Sequence, residues 1–219
     1  MASQIIVFQF GANMTLRKHK PALAIVGLVV LLIIFVALLS NYWPKQEKWF
    51  IELGLLGNDM TADAYFDNAN SIVDIGISNS WYIYLHNHLD SAQDVKVRVK
   101  LQNSTMELPD DRKQQFSNVP FFTEFSFSLS INETTLFPFS WSVSEAEVQT
   151  NSVVIDRLIV NDQPIDVNVS ASFNTSFRIV FELWCRDPVS GEYQFGWESK
   201  EGFFSASLYM GFRIDSSSL

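Results

Sequence analysis

"DVKVRVKLQ", Asp94–Gln102, sets Val95, Val97, Val99 and Leu101 against Lys96, Arg98, Lys100 and Gln102. Side chains of a strand alternate between its two faces, so this period-two pattern predicts a half-buried strand. "FSFSLSIN" repeats it, with Phe125, Phe127, Leu129 and Ile131 against Ser126, Ser128, Ser130 and Asn132. Working outward, further strands are predicted at Trp49–Leu55, Ile72–Ile77, Trp81–His88, Phe137–Val143, Val153–Val160, Ile165–Ser172, Ser176–Trp184, Glu192–Trp197 and Phe203–Phe212. Turn residues separate them at "LDSAQ" (89–93), "NDQP" (161–164) and "RDPVSGE" (186–192). No long stripe of helical period competes, although "MTADAYF", Met60–Phe66, could make one helical turn. Short strands at this spacing, without crossover helices, predict a mainly β, antiparallel β-sandwich rather than a parallel α/β sheet.

One domain over 49–215 is expected, with 216–219 as a tail. Two small sandwiches are the alternative, but no Gly/Ser/Pro-rich linker divides residues 50–215, and there is no internal repeat of fixed period. The longest irregular stretch is "STMELPDDRKQQFSNVPFF", Ser104–Phe122. Long loops in such domains often carry function, so this one is the first choice for a contact surface.

Before the strands lies "PALAIVGLVVLLIIFVALLS", Pro21–Ser40, without a charged residue. As a helix it extends roughly 28 Å, near the thickness of a hydrocarbon core. A buried core helix is seldom apolar all round for so long. A cleaved signal peptide has a shorter apolar run and small residues at its exit, unlike Ala37-Leu38-Leu39-Ser40. One transmembrane α-helix at 21–40 is therefore predicted, between a leader at 1–20 and a juxtamembrane segment at 41–48. Arg17, Lys18 and Lys20 precede it, which places the N-terminus in the cytoplasm and the rest outside a cell membrane. Trp43 and Trp49 suit the outer interface, as does Tyr42. The apolar "IIVFQF" at Ile5–Phe10 is too short to span, and is expected to rest on the inner membrane surface or a partner helix.

All 24 acidic residues follow the span but only 12 of the 15 basic ones, leaving the external part at −12. That charge argues against nucleic acid or anionic lipid as the partner of the domain. Cys185 is the only cysteine, so no intrachain disulfide forms and the apolar core must supply stability. A buried thiol is expected there, with a disulfide-linked homodimer as the alternative. Asn-x-Ser/Thr triplets at Asn103, Asn132, Asn168 and Asn174 fall on the predicted outer side and are glycosylation candidates. Asn13 falls inside and is not.

A resemblance spans most of the external part. Leu53–Gly57 leading to Tyr65–Phe66, then Gly76, then "LQNSTM" at 101–106, are its first features. "FFTEFSFSLSINETTLFPFSW" (121–141) and "FELWCRDPVSGEYQFGW" (181–197) continue it. On these residues the chain resembles uncharacterised archaeal single-pass membrane proteins that share an external domain of unknown function. The resemblance implies an immunoglobulin-like fold outside the membrane and no particular activity. Leu85-x-Asn87 is also similar to a pattern of cell-surface sandwich modules, in which the asparagine marks a strand end beside a tight connection.

Chemistry is sparse. H-E-x-x-H, G-x-S-x-G, C-x-x-C and a phosphate-cradling glycine loop are all missing. No enzyme activity and no cofactor are expected. Glu145/Glu147 and Asp110/Asp111 are carboxylate pairs of the kind glycosidases use, but solvated charges explain them. Trp141, Trp184 and Trp197 could form a sugar-stacking platform, against the ordinary reading as packing. The sharpest constellation is "YLHNHLD", Tyr84–Asp90, where period two puts His86 and His88 on one face. Imidazoles suit copper and zinc, but a site needs a third ligand, with Asp90, Asp94 or Cys185 available. The structural alternative makes this the end of a strand, turning at Asp90 into a hairpin with Asp94–Gln102. The expected function is a membrane-anchored, non-enzymatic interaction, scaffold or accessory subunit, with other membrane or cell-surface proteins as partners and a homo-oligomer possible. A metal- or small-ligand-binding domain centred on His86 and His88 is the alternative.

Overall fold

The alternation in Asp94–Gln102 becomes the middle of a sheet, with Val95, Val97 and Val99 wholly buried on one face. The computed structural model describes residues 25, 27–36, 50–66, 70–173, 175–199 and 202–214. The chain divides into two compact units, Met1–Gln46 and Glu47–Leu219. In the first, Ile25 and residues 27–36 are helical, and their apolar side chains are exposed on every side. No helix among the described residues is long and apolar enough to cross a membrane. The expected span at 21–40 runs past both ends of this described helix. Residues 1–20, 41–49 and 215–219 lie outside the described residues, and with them Arg17, Lys18, Lys20, Trp43 and Trp49.

The second unit is built of strands: β1 (Ile51–Leu56), β2 (Ile72–Val73), β3 (Asn79–Asn87), β4 (Gln93–Asn103), β5 (Phe121–Leu129), β6 (Thr134–Gln149), β7 (Ser152–Val160), β8 (Gln163–Ser172), β9 (Phe177–Arg186), β10 (Tyr193–Phe195), β11 (Trp197–Ser199), β12 (Gly202–Phe204) and β13 (Ser207–Ile214). The first sheet runs β1-β3-β6-β7-β8 and the second β2-β13-β9-β4-β5, with β10 also on β9 and β11–β12 as a separate ribbon. Every ladder is antiparallel except β13 with β2.

Inner faces of the two sheets meet through rings. Phe139 on β6 meets Phe181 on β9 at 5.3 Å between centroids, Trp141 meets Phe212 of β13 at 4.9 Å, and Phe125 of β5 meets Phe137 at 4.8 Å. Full burial of such a side chain is worth about 1.5–3 kcal/mol, so these layers supply the stability that a lone cysteine cannot. Trp141 and Trp197 are buried, and Trp184 is 9% exposed, so the three tryptophans form no sugar-stacking platform. The core holds Trp141 and Trp197, whereas Trp184 lies on the outer face of the second sheet under Phe116. Trp141 packs against Trp81 at 5.1 Å, and its indole N–H finds no acceptor among the described residues, so shape rather than hydrogen bonding holds it.

Three further expectations need correction. Met60–Phe66 forms bends rather than a helical turn. It is tied down because Trp81 Nε1 donates to the Tyr65 carbonyl at 2.5 Å, while the Tyr65 hydroxyl donates to the Leu55 carbonyl at 2.9 Å. The predicted Ile72–Ile77 strand keeps only Ile72–Val73, since Gly76, at φ +82°, turns the chain and donates its N–H to Val143.

The largest change concerns β3 and β4. They are not a hairpin: β3 pairs with β1 and β6, whereas β4 pairs with β5 and β9 in the other sheet. A hairpin would lay the two apolar faces side by side, while crossing between sheets buries them against each other. Asn87 makes the crossing possible. It is fully buried, its Oδ1 accepts from Leu89 N at 3.0 Å, and its Nδ2 donates to the carbonyls of Ser91, Leu129 and Ser130 at 2.9, 3.2 and 3.0 Å. Backbone groups stranded at the crossing are thus satisfied by one amide.

Candidate functional site

The outer face of the second sheet is where the sequence placed Lys96, Arg98, Lys100 and Gln102, and β9 adds Arg178, Glu182, Trp184 and Arg186 beside them. These residues are not a solvated polar face. Residues 104–120 leave the end of β4 and reach β13, where Asp111 accepts from Ser207 N at 3.3 Å and from Ser207 Oγ at 2.9 Å. The segment then returns to β5, so it straps the sheet.

Beneath the strap Lys100 Nζ lies 2.7 Å from Glu182 Oε2, with side chains 4% and 0% exposed. Glu182 also accepts from Ser117 N at 2.7 Å and Trp184 Nε1 at 3.1 Å. Lys100 donates to the Ser117 carbonyl at 2.6 Å, and Ser117 Oγ donates to Gln102 Oε1 at 2.9 Å. Buried charge is tolerated only when paired and hydrogen-bonded in this way. Burial pulls the Lys100 ammonium below the usual lysine range, and Glu182 opposes that shift only in part.

Beside this network a ladder of cations and rings continues along the sheet. Arg98 lies 3.8 Å from the Trp184 ring and 5.0 Å from that of Phe121, and Lys96 lies 4.5 Å from Tyr193. Glu124 binds both cations, Lys96 at 2.5 Å and Arg98 at 2.8 Å. On the outside of this assembly Met106, Phe116 and Phe121 are 43%, 43% and 47% exposed. Sequence reading singled out the loop but missed Glu182 and Ser117. The available signal was Glu182 itself, the one carboxylate inside "FRIVFELWC", a run whose apolar residues occupy both faces.

His86 and His88 do share a face, with ring centroids 4.0 Å apart, and Phe50 stacks on His88 at 4.2 Å. His86 Nδ1 is hydrogen-bonded to Thr134 Oγ1 at 2.6 Å, and Glu52 lies 3.5 Å from His88 Nε2. Asp90 is not gathered with them. It lines a cleft of about 400 Å³ at the end of the sandwich with Gln93, Arg186, Asp187, Gln194 and Glu198. Among the described residues no group of three or more His, Cys, Asp or Glu is arranged to hold a metal ion. After Asn87 the chain turns toward the second sheet before Asp90. Asp94 and Cys185 are equally remote in role. Asp94 accepts from Ser128 and Arg186, and Cys185 is buried with its thiol pushed upward by that burial.

No family model and no curated protein matches the chain. Among solved structures it is similar to that of Spo0M, a sporulation control protein from Bacillus subtilis, at 10% identity and a TM-score of 0.37. The similarity covers 76% of this chain and 50% of that one, so this chain spans half the length of that protein.

Proposed function

We propose that this chain is a membrane-anchored, non-enzymatic cell-surface protein that binds a protein partner through the strap over its second sheet. One observation carries the reading: Met106 and Phe116 are exposed on a loop clamped by the buried Lys100–Glu182 pair, and Phe121 is exposed where that loop enters β5. Flexible loops lose entropy on binding, whereas apolar and aromatic side chains on a pre-set support are typical binding anchors. The anchor is supported by the uninterrupted apolar sequence Pro21–Ser40 and by the apolar surface on all sides of the described helix.

Strand order supports an immunoglobulin-like variant. The run β5-β4-β9-β13 follows the C′-C-F-G order, and β1-β3-β6 follows A-B-E. β7 and β8 then continue outward from β6, where an immunoglobulin domain places strand D, which precedes E.

Gentle detergent extraction of the full chain, followed by identification of co-purifying proteins, tests the reading. A partner retained by wild type and lost from Phe116→Ser/Phe121→Ser is the expected result. Recovery of this chain alone from both preparations would refute it.

A further inference from the structure

Three of the four outer sequon asparagines are described, and the structure treats them differently. Asn132 and Asn168 are both exposed, both have left-handed backbones at φ +57° and +49°, and neither side-chain amide has a hydrogen-bond partner among the described residues. Asn132 sits in the turn between β5 and β6, where Ser130 N donates to Glu133 Oε2 at 2.6 Å and closes the loop beneath it. Asn168 sits on β8, at the edge of the first sheet. Ile155 faces Val169 and Arg157 faces Asp166, so the single residue Asp156 opposes both Val167 and Asn168. That is a β-bulge, and asparagine takes its left-handed position at lower cost than most residues.

Asn103 is in the opposite situation. Its Nδ2 donates to the Ser170 carbonyl at 2.9 Å, a bond from the second sheet to the edge strand of the first. Its Oδ1 accepts from Thr105 N at 3.0 Å and from Thr105 Oγ1, the hydroxyl of its own sequon, at 2.6 Å. A sugar on Nδ2 would stand in the seam that this amide closes.

We propose that Asn132 and Asn168 carry N-linked glycans in the folded protein, that Asn103 stays bare, and that the glycan on Asn168 shields the open edge of β8. An edge strand offers unpaired N–H and C=O groups to any other strand, and proteins blunt such edges with bulges, charges or cover. Here Asn103 caps one edge carbonyl, the bulge interrupts the ladder, and a glycan at the bulge completes the cover. In the transfer, Asn Nδ2 forms a bond to the anomeric carbon of a lipid-phosphate-linked oligosaccharide. The bond from that carbon to phosphate oxygen breaks, the lipid phosphate leaves, and the amide gives one proton to a base of the transferase.

This inference rests on the external placement of the domain. The test is glycopeptide mass mapping of the full chain, made in an N-glycosylating host, alongside protease added outside intact cells. Sugar at Asn132 and Asn168 but not Asn103, on a domain cleaved from outside, is expected. An occupied Asn103, or bare Asn132 and Asn168 on a domain that external protease reaches, overturns the inference and leaves the external placement standing. A domain that external protease does not reach refutes both. The role at the edge is read by sedimentation: Asn168→Gln should self-associate at concentrations where Asn132→Gln stays at the wild-type state. Identical behaviour of the two variants would remove the shielding role.

Discussion

Lys100 and Glu182 meet diagonally across neighbouring strands of the second sheet, 2.7 Å apart, under a strap whose Ser117 binds both of them. The pair therefore joins loop to sheet. Removing one member leaves the other buried without its counter-ion, which costs about 3–5 kcal/mol. Lys100→Met should lower the unfolding free energy by that amount, with a matching fall in the urea midpoint, and open residues 104–120 to limited proteolysis. Urea melts and cleavage mapping check this, and a strap that remains protected would show that Asp111 and Phe116 hold it unaided.

Asn87 should tolerate no substitution. Asn87→Asp keeps the shape but loses both N–H donors and aims a carboxylate at the carbonyls of Ser91, Leu129 and Ser130. Asn87→Ala strands the same groups without adding charge, at about 1–3 kcal/mol for each buried group left unsatisfied. Thermal melts should rank wild type above Ala and Ala above Asp. The reverse order of the variants would mean that amide size, not its donors, matters at the crossing.

Gly196 lies between β10 and β11 at φ +95°, and a Cβ there would stand 2.0 Å from the Phe204 carbonyl oxygen. Backbone cannot yield as a side chain can. Gly196→Ala should cost more than the roughly 1 kcal/mol of ordinary glycine-to-alanine strain. Gly202→Ala is the control: φ is also positive, but the space is open. Near-equal melting temperatures for the two would contradict the close approach.

Acid should loosen the cation ladder. Burial of Glu124 by itself favours the protonated acid, but hydrogen bonds from Arg98 and Lys96 outweigh it and hold the carboxyl below its ordinary value. A depressed carboxylate stabilises the fold above its unfolded pKa of about 4.3, and that stability is lost as pH falls through the folded value. Glu124→Gln should be less stable than wild type at pH 7, by about 1–2 kcal/mol, and the gap should narrow by about pH 3. Denaturant titrations at the two pH values check the convergence, and a constant gap would argue against it.

Cys185 is 1% exposed, and burial pushes its thiol above the usual cysteine range. The native protein should resist alkylation at neutral pH, react fully in urea, and run as a monomer band without reductant. Rapid native labelling, or a disulfide-linked dimer, would show that β9 opens at this end.

Much of the architecture was legible in residue order, because period two is a local property. Val95 to Leu101 and Phe125 to Leu129 pointed to their faces without any knowledge of neighbours. The turns at Asn161 and Asp187 were likewise readable from residue type. His86 and His88 were correctly placed on one face, since that too follows from spacing of two.

Partnership across the fold was not local, and there the reading of the chain stopped. Whether β3 pairs with β4 or crosses to another sheet depends on which arrangement buries more apolar surface, and on whether an amide such as Asn87 can satisfy the groups left at the crossing. That choice carried Asp90 toward the second sheet and drew Trp141 and Trp197 inward. It also brought Lys100, Glu182 and Ser117 together from three separate segments. Alternation along a strand is set by the chirality of each residue, so the sequence alone determined the faces. Which faces meet is set by the summed burial of the whole core, so only the tertiary structure decided the site.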